Sequence, residues 1–132
     1  MARAIYVTAC ALGALVLATV ATGAASETGV TSTQVVIGGT VPLSGNASAY
    51  QSVAKGAAAY FRFVNAHGGV NKRKIKYIYK DDGYDPAKTI DKTRELVQQD
   101  KVFAIFNSLG TEHNLATRGY LNALKIPQLF VA

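Results

Sequence analysis

A serine, a glycine and a tyrosine at the end of an apolar run are the residues of this chain best suited to hold a ligand. In QVVIGGTVPLSGNASAY, residues 34–50, the apolar segment up to Val41 meets a Pro-Leu-Ser-Gly turn, and a short polar loop then ends on Tyr50. In an open α/β sheet, ligands bind at the loops leaving the C-terminal ends of strands, which makes Ser44 and Gly45 candidate binding residues. Tyr50 reads two ways from the residues alone, as packing at a helix start or as a wall of the site. The chemistry on offer is recognition through hydroxyls and backbone amides.

Bond-making chemistry finds no such support. Ser44 lacks the G-x-S-x-G context of a hydrolase nucleophile. Gly38-Gly39 does not extend to G-x-G-x-x-G, and no Gly-Lys-Ser/Thr follows, so dinucleotide and P-loop readings fail on the residues themselves. Asp81-Asp82 resembles a carboxylate pair that could hold a divalent ion in a receiver-like domain. Such a domain would also want a lysine and further acid ligands in register, and the pair reads instead as solvated or loop-capping. His67 and His113 have no second ligand at zinc spacing and are expected on the surface. We therefore expect no catalytic residue, no metal and no cofactor, and the chain is not read as an enzyme.

The elements that position these residues follow from periodicity. Gln34–Val41 is nearly continuous apolar sequence, as in a strand covered on both faces. Tyr50–Ala66 carries Val53, Ala54, Ala57, Ala58, Phe61 and Val64 at helical spacing, and His67-Gly68-Gly69 stops it. Lys74–Asp81 alternates Ile75, Tyr77 and Tyr79 with lysines, broken only by Ile78, and reads as a strand near a sheet edge. Asp85-Pro86 starts a second helix that ends near Asp100. Val102–Phe106 is a short apolar strand, Thr111 is expected to cap a third helix running to Leu124, and Leu129–Val131 gives a fourth strand. The β-α-β-α-β-α-β order predicts a doubly wound parallel sheet in three α/β/α layers.

The ends and the charge bound the function class. Arg3, the apolar stretch Ala9–Ala21 and the small residues Thr22–Ala25 form a secretory signal peptide pattern, giving residues 1–25 as signal, 26–33 as a polar linker and 34–132 as folded domain. Cys10 lies too early in the apolar stretch for a lipidation site, and cleavage near Ala25 leaves no cysteine. The chain has 14 Lys and Arg against 8 Asp and Glu, a net +6 that falls to +5 when Arg3 is removed. Lys72, Arg73, Lys74 and Lys76 supply much of the excess. They read as a solvated turn rather than a nucleic-acid patch, because no nucleic-acid-binding framework surrounds them.

Three fragments, GGTVPLSGNASAY, FVNAHGGVNKRKIKYIYKDDGYDP and FAIFNSLGT, occur in order and at suitable separations. Together they resemble the N-terminal lobe of the substrate-binding proteins of branched-chain amino acid ABC importers, the leucine-binding-like type 1 periplasmic binding proteins. The resemblance runs from about Gln34 to Ala132. It implies an exported, periplasmic or extracellular protein with two lobes that close on a small solute, which is then passed to a membrane permease. It also implies that Ser44, Gly45 and Tyr50, together with Leu109, Gly110 and Thr111 after the third strand, face the cleft. Amino-acid-binding members carry a serine at the position of Gly110. Some members join two loops by a disulfide at the positions of Tyr84 and Leu109, and here Tyr84 is expected to pack against Leu109. These departures leave the ligand open among amino acids and related small organic compounds. A ligand-sensing receptor ectodomain of the same fold, or a non-functional gene fragment, is the alternative. A single lobe is expected to bind weakly on its own.

Overall fold

The computed structural model describes residues 27–132; the proposed signal segment lies outside the described residues. Four parallel strands alternate with three helices: β1 (Gln34–Val41), α1 (Gln51–Ala66), β2 (Lys74–Asp81), α2 (Pro86–Gln98), β3 (Ala104–Phe106), α3 (Thr111–Ala123) and β4 (Gln128–Leu129). The strand order is β2-β1-β3-β4, with β1 paired to β2 over all eight residues, from Gln34–Lys74 to Val41–Asp81. Parallel pairing places every strand's C-terminal end on one edge of the sheet, so the loops after β1, β2 and β3 are neighbours.

The pleat sorts side chains to two faces. On one, Leu96 of α2 and Leu121 of α3 pack with Val102 and Ile105 in the core, joined by Val36 and Ile78. On the other, Phe61 of α1 meets Tyr77 and Phe106 edge-on, with ring centroids 5.5 and 5.3 Å away. This explains the one break in the β2 alternation: Ile78 joins the α2–α3 core. Lys80, on that same face, pairs with Glu95 and Asp100 at 3.2 and 2.9 Å. The sheet is thus covered on both faces even at β2, and the doubly wound three-layer architecture is present.

Local chemistry sets the ends of the elements. Asp85 caps α2 as its sequence suggests, accepting from the backbone N–H of Ala87 and Lys88, with Pro86 opening the helix. Thr111, in contrast, does not cap α3. Gly110 occupies the cap position, at φ 105°, and among the described residues no side chain bonds to the helix start. Two strands are shorter than their apolar runs. Val102 and Phe103 bond to Leu96 and Val36 before the β3 ladder begins, and Phe130, at φ 52°, turns the chain out of β4. Residues 27–33 run as a hooked turn against β1, with Gly29 accepting from Val36 and Thr31 from Gln34. In the basic turn, Arg73 Nε donates to the Thr31 carbonyl and Lys74 Nζ to that of Asn65. No helix among the described residues is long and apolar enough to cross a membrane.

Candidate functional site

The loops at the C-terminal edge are held together by two aspartates. Asp81, the last residue of β2, accepts N–H bonds from Leu43 and Ser44 of the β1 loop and from Gly83 of its own loop, at 2.8, 3.2 and 2.9 Å. Its other oxygen accepts the Ser44 hydroxyl at 2.6 Å. Asp82 is fully buried and accepts from the Tyr84 N–H and the Thr89 hydroxyl. The pair therefore caps loops rather than facing solvent. Among the described residues, no group of three or more His, Cys, Asp or Glu side chains is placed to hold a metal ion.

Burial by itself would raise the Asp81 carboxyl. The Ser44 hydroxyl and the Gly83, Leu43 and Ser44 amides outweigh it and hold the group down from 3.8 to about 2. A depressed acid stabilises the fold fully above its unfolded value and loses that contribution as pH falls. The β1 loop should therefore loosen as pH drops from 3.8 through about 2. Amide hydrogen exchange at Ser44 and Gly83 reads this directly. Asp81→Asn should flatten the acid dependence, and an unchanged acid response in that variant would remove Asp81 as the cause.

A groove of about 420 Å³ opens on this edge, within the size range of small-molecule sites. Tyr50 and Tyr84 stand in its walls, while Leu109, Gly110 and Thr111 at the start of α3 line it with Ala47 and Ala132. Of the six candidate residues, the fold brings Tyr50, Leu109, Gly110 and Thr111 into this groove. Ser44 and Gly45 lie beside it: the Ser44 hydroxyl is bonded to Asp81, and a Cβ on Gly45 would stand 3.0 Å from the Gly83 carbonyl. A smaller concavity of about 260 Å³ lies between Glu27, Lys101 and Lys125 at the other end of the strands. A parallel sheet binds ligands at the C-terminal edge, so the larger groove is the candidate site.

Its polar floor is the start of α3. Among the described residues, the backbone N–H groups of Thr111, Glu112 and His113 have no acceptor, and Gly110 contributes no side-chain cap. Unsatisfied amides and the helix dipole make this end attractive to an anion. Asn114 fixes its position, donating to the carbonyls of Ser108 and Ala132 at 3.3 Å each and accepting from Gln128 at 2.7 Å.

His113 corrects the surface reading of its sequence position. It is only 4% exposed, and its ring lies 4.3 Å from that of Tyr84. Tyr84, expected against Leu109, thus packs on His113, although both it and Leu109 line the groove. The signal was spacing: His113, Thr117 and Leu121 recur every fourth residue and form the buried face of α3. Two polar residues in that stripe concealed it. His67, by contrast, is exposed.

Known proteins share this fold. The family model described as periplasmic binding protein matches residues 34–132. A curated amino acid binding protein from Pseudomonas aeruginosa is 39% identical over 72 residues, which is 54% of this chain and 19% of the relative. A fatty acid ABC transporter substrate-binding protein from Thermomonospora curvata superposes with a TM-score of 0.69 at 31% identity, over 76% of this chain and 25% of that one. A solute binding protein of an ABC transporter from Rhodopseudomonas palustris, in complex with 3,4-dihydroxy benzoic acid, gives 0.63 at 28% identity, over 74% and 27%. The chain thus spans between 19% and 27% of the length of these relatives.

Proposed function

The chain belongs to the periplasmic binding protein family, and from that premise we propose that it serves to capture a small organic solute through the solute's carboxylate. The observation carrying this reading is the start of α3, where backbone amides without acceptors begin at Thr111, a lining residue of the groove walled by Tyr50 and Tyr84. Thr111 presents the donor at the groove, beside Gly110, whose own N–H is held by the Ala132 carbonyl; Leu109 and the two tyrosines contact the apolar body, and Ser44 and Gly45 shape the neighbouring rim. The relatives' names support the same chemistry: an amino acid, a fatty acid and 3,4-dihydroxy benzoic acid all bear a carboxylate. Tyr50 and Tyr84 are 57% and 45% exposed, so this groove covers one side of a ligand and a facing surface is needed for the other. In a protein several times longer, that surface would be a second lobe closing on the solute, with the closed form recognised by an ABC permease. Residues 1–25 would direct export, with 26–33 leading into a partial N-terminal lobe at 34–132.

A thermal-shift screen of the protein as encoded, with leucine, palmitate and 3,4-dihydroxybenzoate, tests this reading. A ligand at about 100 times its Kd adds roughly 2.7 kcal/mol. At least one of the three should therefore raise Tm by several degrees. No shift with any of them at millimolar concentration would count against carboxylate capture.

A further inference from the structure

We propose a second ligand site in the groove between α1 and β2, where Arg62 and the rings of Tyr77 and Tyr79 take a planar aromatic compound bearing one negative group. It stands apart from the carboxylate reading above, since it runs along the last strand of the sheet and not across the loops at the strand ends. Its walls follow from two periodicities. On α1, Ala58, Phe61, Arg62 and Asn65 recur at spacings of three and four and share one flank of the helix. On β2, Ile75, Tyr77 and Tyr79 alternate and share one face of the strand. Flank and face meet around a cavity of about 280 Å³, close to the lower end of the range for small-molecule sites. β2 is the outermost strand, so among the described residues no further strand covers the opening, and Ala58 is too small to fill it. Asn65 ties helix to strand with both ends of its amide, accepting from the Ile75 N–H and donating to the Ile75 carbonyl at 2.8 Å each. Phe61 meets Tyr77 edge-on, and the Tyr79 ring lies 5.5 Å from that of Tyr77. The groove is formed before any ligand arrives.

Charge is the second line of evidence. Residues 28–80 hold seven Lys and Arg and no Asp or Glu. The ion pairs of Lys80, Lys92 and Arg94 draw on Asp91, Glu95 and Asp100, which lie on α2 and just after it. Arg62 is exposed at the groove and has no such partner among the described residues. Lys74 brings a second cation to the rim, its Nζ donating to the Asn65 carbonyl. Burial pushes the Tyr77 hydroxyl up to about 12, so its ring brings no negative charge to the floor at neutral pH. A guanidinium without a counter-ion beside three aromatic rings sets the ligand class. The guanidinium takes a carboxylate or a similar planar anion through two parallel hydrogen bonds. The tyrosine rings take a flat apolar body by offset or edge contact. An aliphatic acid would use the charge but not the rings, and an uncharged aromatic compound the rings but not the charge.

Calorimetry on the protein as encoded tests the proposal with naphthoate, its uncharged amide naphthamide, and cyclohexanecarboxylate. Naphthoate should bind several-fold tighter than either of the others. Arg62→Gln changes an exposed side chain and should leave the fold intact. It should weaken naphthoate by roughly tenfold, the scale of one charge-assisted hydrogen bond, and leave naphthamide unchanged. Tyr79→Leu should weaken naphthoate and naphthamide several-fold each, because both use the ring. An Arg62→Gln protein that binds naphthoate as tightly as the wild type overturns the proposal, as does a wild type that shows no saturable binding. A loss that follows Tyr50→Ala and not Arg62→Gln also overturns it, seating the ligand in the groove at the strand ends and leaving carboxylate capture in place. Should Tyr79→Leu not fold, the backbone amide resonances of the wild type decide. Shifts at Arg62, Asn65 and Tyr79 that saturate together support the site, and shifts confined to Thr111, Glu112 and His113 overturn it.

Discussion

Replacing Gly110 with alanine is expected to lower stability by about 2–4 kcal/mol and to abolish carboxylate binding in the same step. Two independent effects add. The residue sits at φ 105°, a backbone conformation that an L side chain rarely adopts, and its Cβ would drive into the His113 ring. Relief of the collision has to come from the imidazole or from the start of α3, and the start of α3 lines the groove. The mutation therefore damages binding geometry as well as stability. Urea denaturation gives the first number and calorimetry with the best carboxylate of the screen gives the second. The double variant Gly110→Ala/His113→Ala should recover the part due to the collision and leave the part due to φ. A coupling of about 1–2 kcal/mol is expected in that cycle. An alanine at 110 that costs less than about 0.5 kcal/mol, the scale of an ordinary surface substitution, would mean that the imidazole is not where this account requires it.

The second large effect lies in the core beneath the sheet. Leu96 is fully buried at the centre of the α2–α3 face, against Val102, Ile105 and Leu121. Leu96→Ala should cost about 2–5 kcal/mol, combining lost transfer energy with a cavity that the surrounding strands cannot fill. The urea midpoint should fall with an unchanged slope. Gly38 makes room for this side chain, since a Cβ there would lie 2.8 Å from a Leu96 methyl and 2.9 Å from a Val102 methyl. Gly38→Ala alone is thus an overpacking change of about 1–3 kcal/mol. Combined with Leu96→Ala, it should cost less than the two singles together, because the methyl enters the cavity. Strict additivity would argue that Gly38 and Leu96 do not share that space.

Gly38 and its neighbour Gly39 show what was and was not legible in the sequence. Gly38-Gly39 could be read only as a nucleotide motif that fails to complete itself. Their actual role is to flatten the middle of β1: Gly38 admits Leu96 on one face, and a Cβ on Gly39 would collide with the Phe106 backbone on the other. That role depends on the partner strands and helices, which no local pattern reports. The strands and helices themselves were legible, because β1 and β2 span their apolar runs and Asp85-Pro86 opens α2 as their types suggest. The shortening of β3 and β4 was not. Strand length there is set by where neighbouring backbone stops pairing, and by Phe130 turning to positive φ.

The site divided along similar lines. Loops after parallel strands had to converge on one edge, which placed Tyr50, Leu109, Gly110 and Thr111 in a common groove. The hydrogen bond from Ser44 to Asp81 was not foreseeable from either residue alone, since they lie 37 positions apart. It makes Ser44 a fastener of the rim rather than a free hydroxyl at the floor. Thr111 was expected to cap α3, and the glycine before it takes that position without any side chain to satisfy the amides. That uncapped start is the feature on which the proposed carboxylate capture rests. His113 was misplaced because a histidine and a threonine interrupt an otherwise regular buried stripe.

The most direct test of carboxylate capture is therefore to record the backbone amide resonances of the protein as encoded while titrating 3,4-dihydroxybenzoate, leucine or palmitate. The account predicts that the largest shifts, saturating together, fall on Thr111, Glu112 and His113, with smaller ones on Tyr50 and Tyr84. Saturable binding that leaves these three amides unmoved, and perturbs residues around Glu27, Lys101 and Lys125 instead, would contradict it.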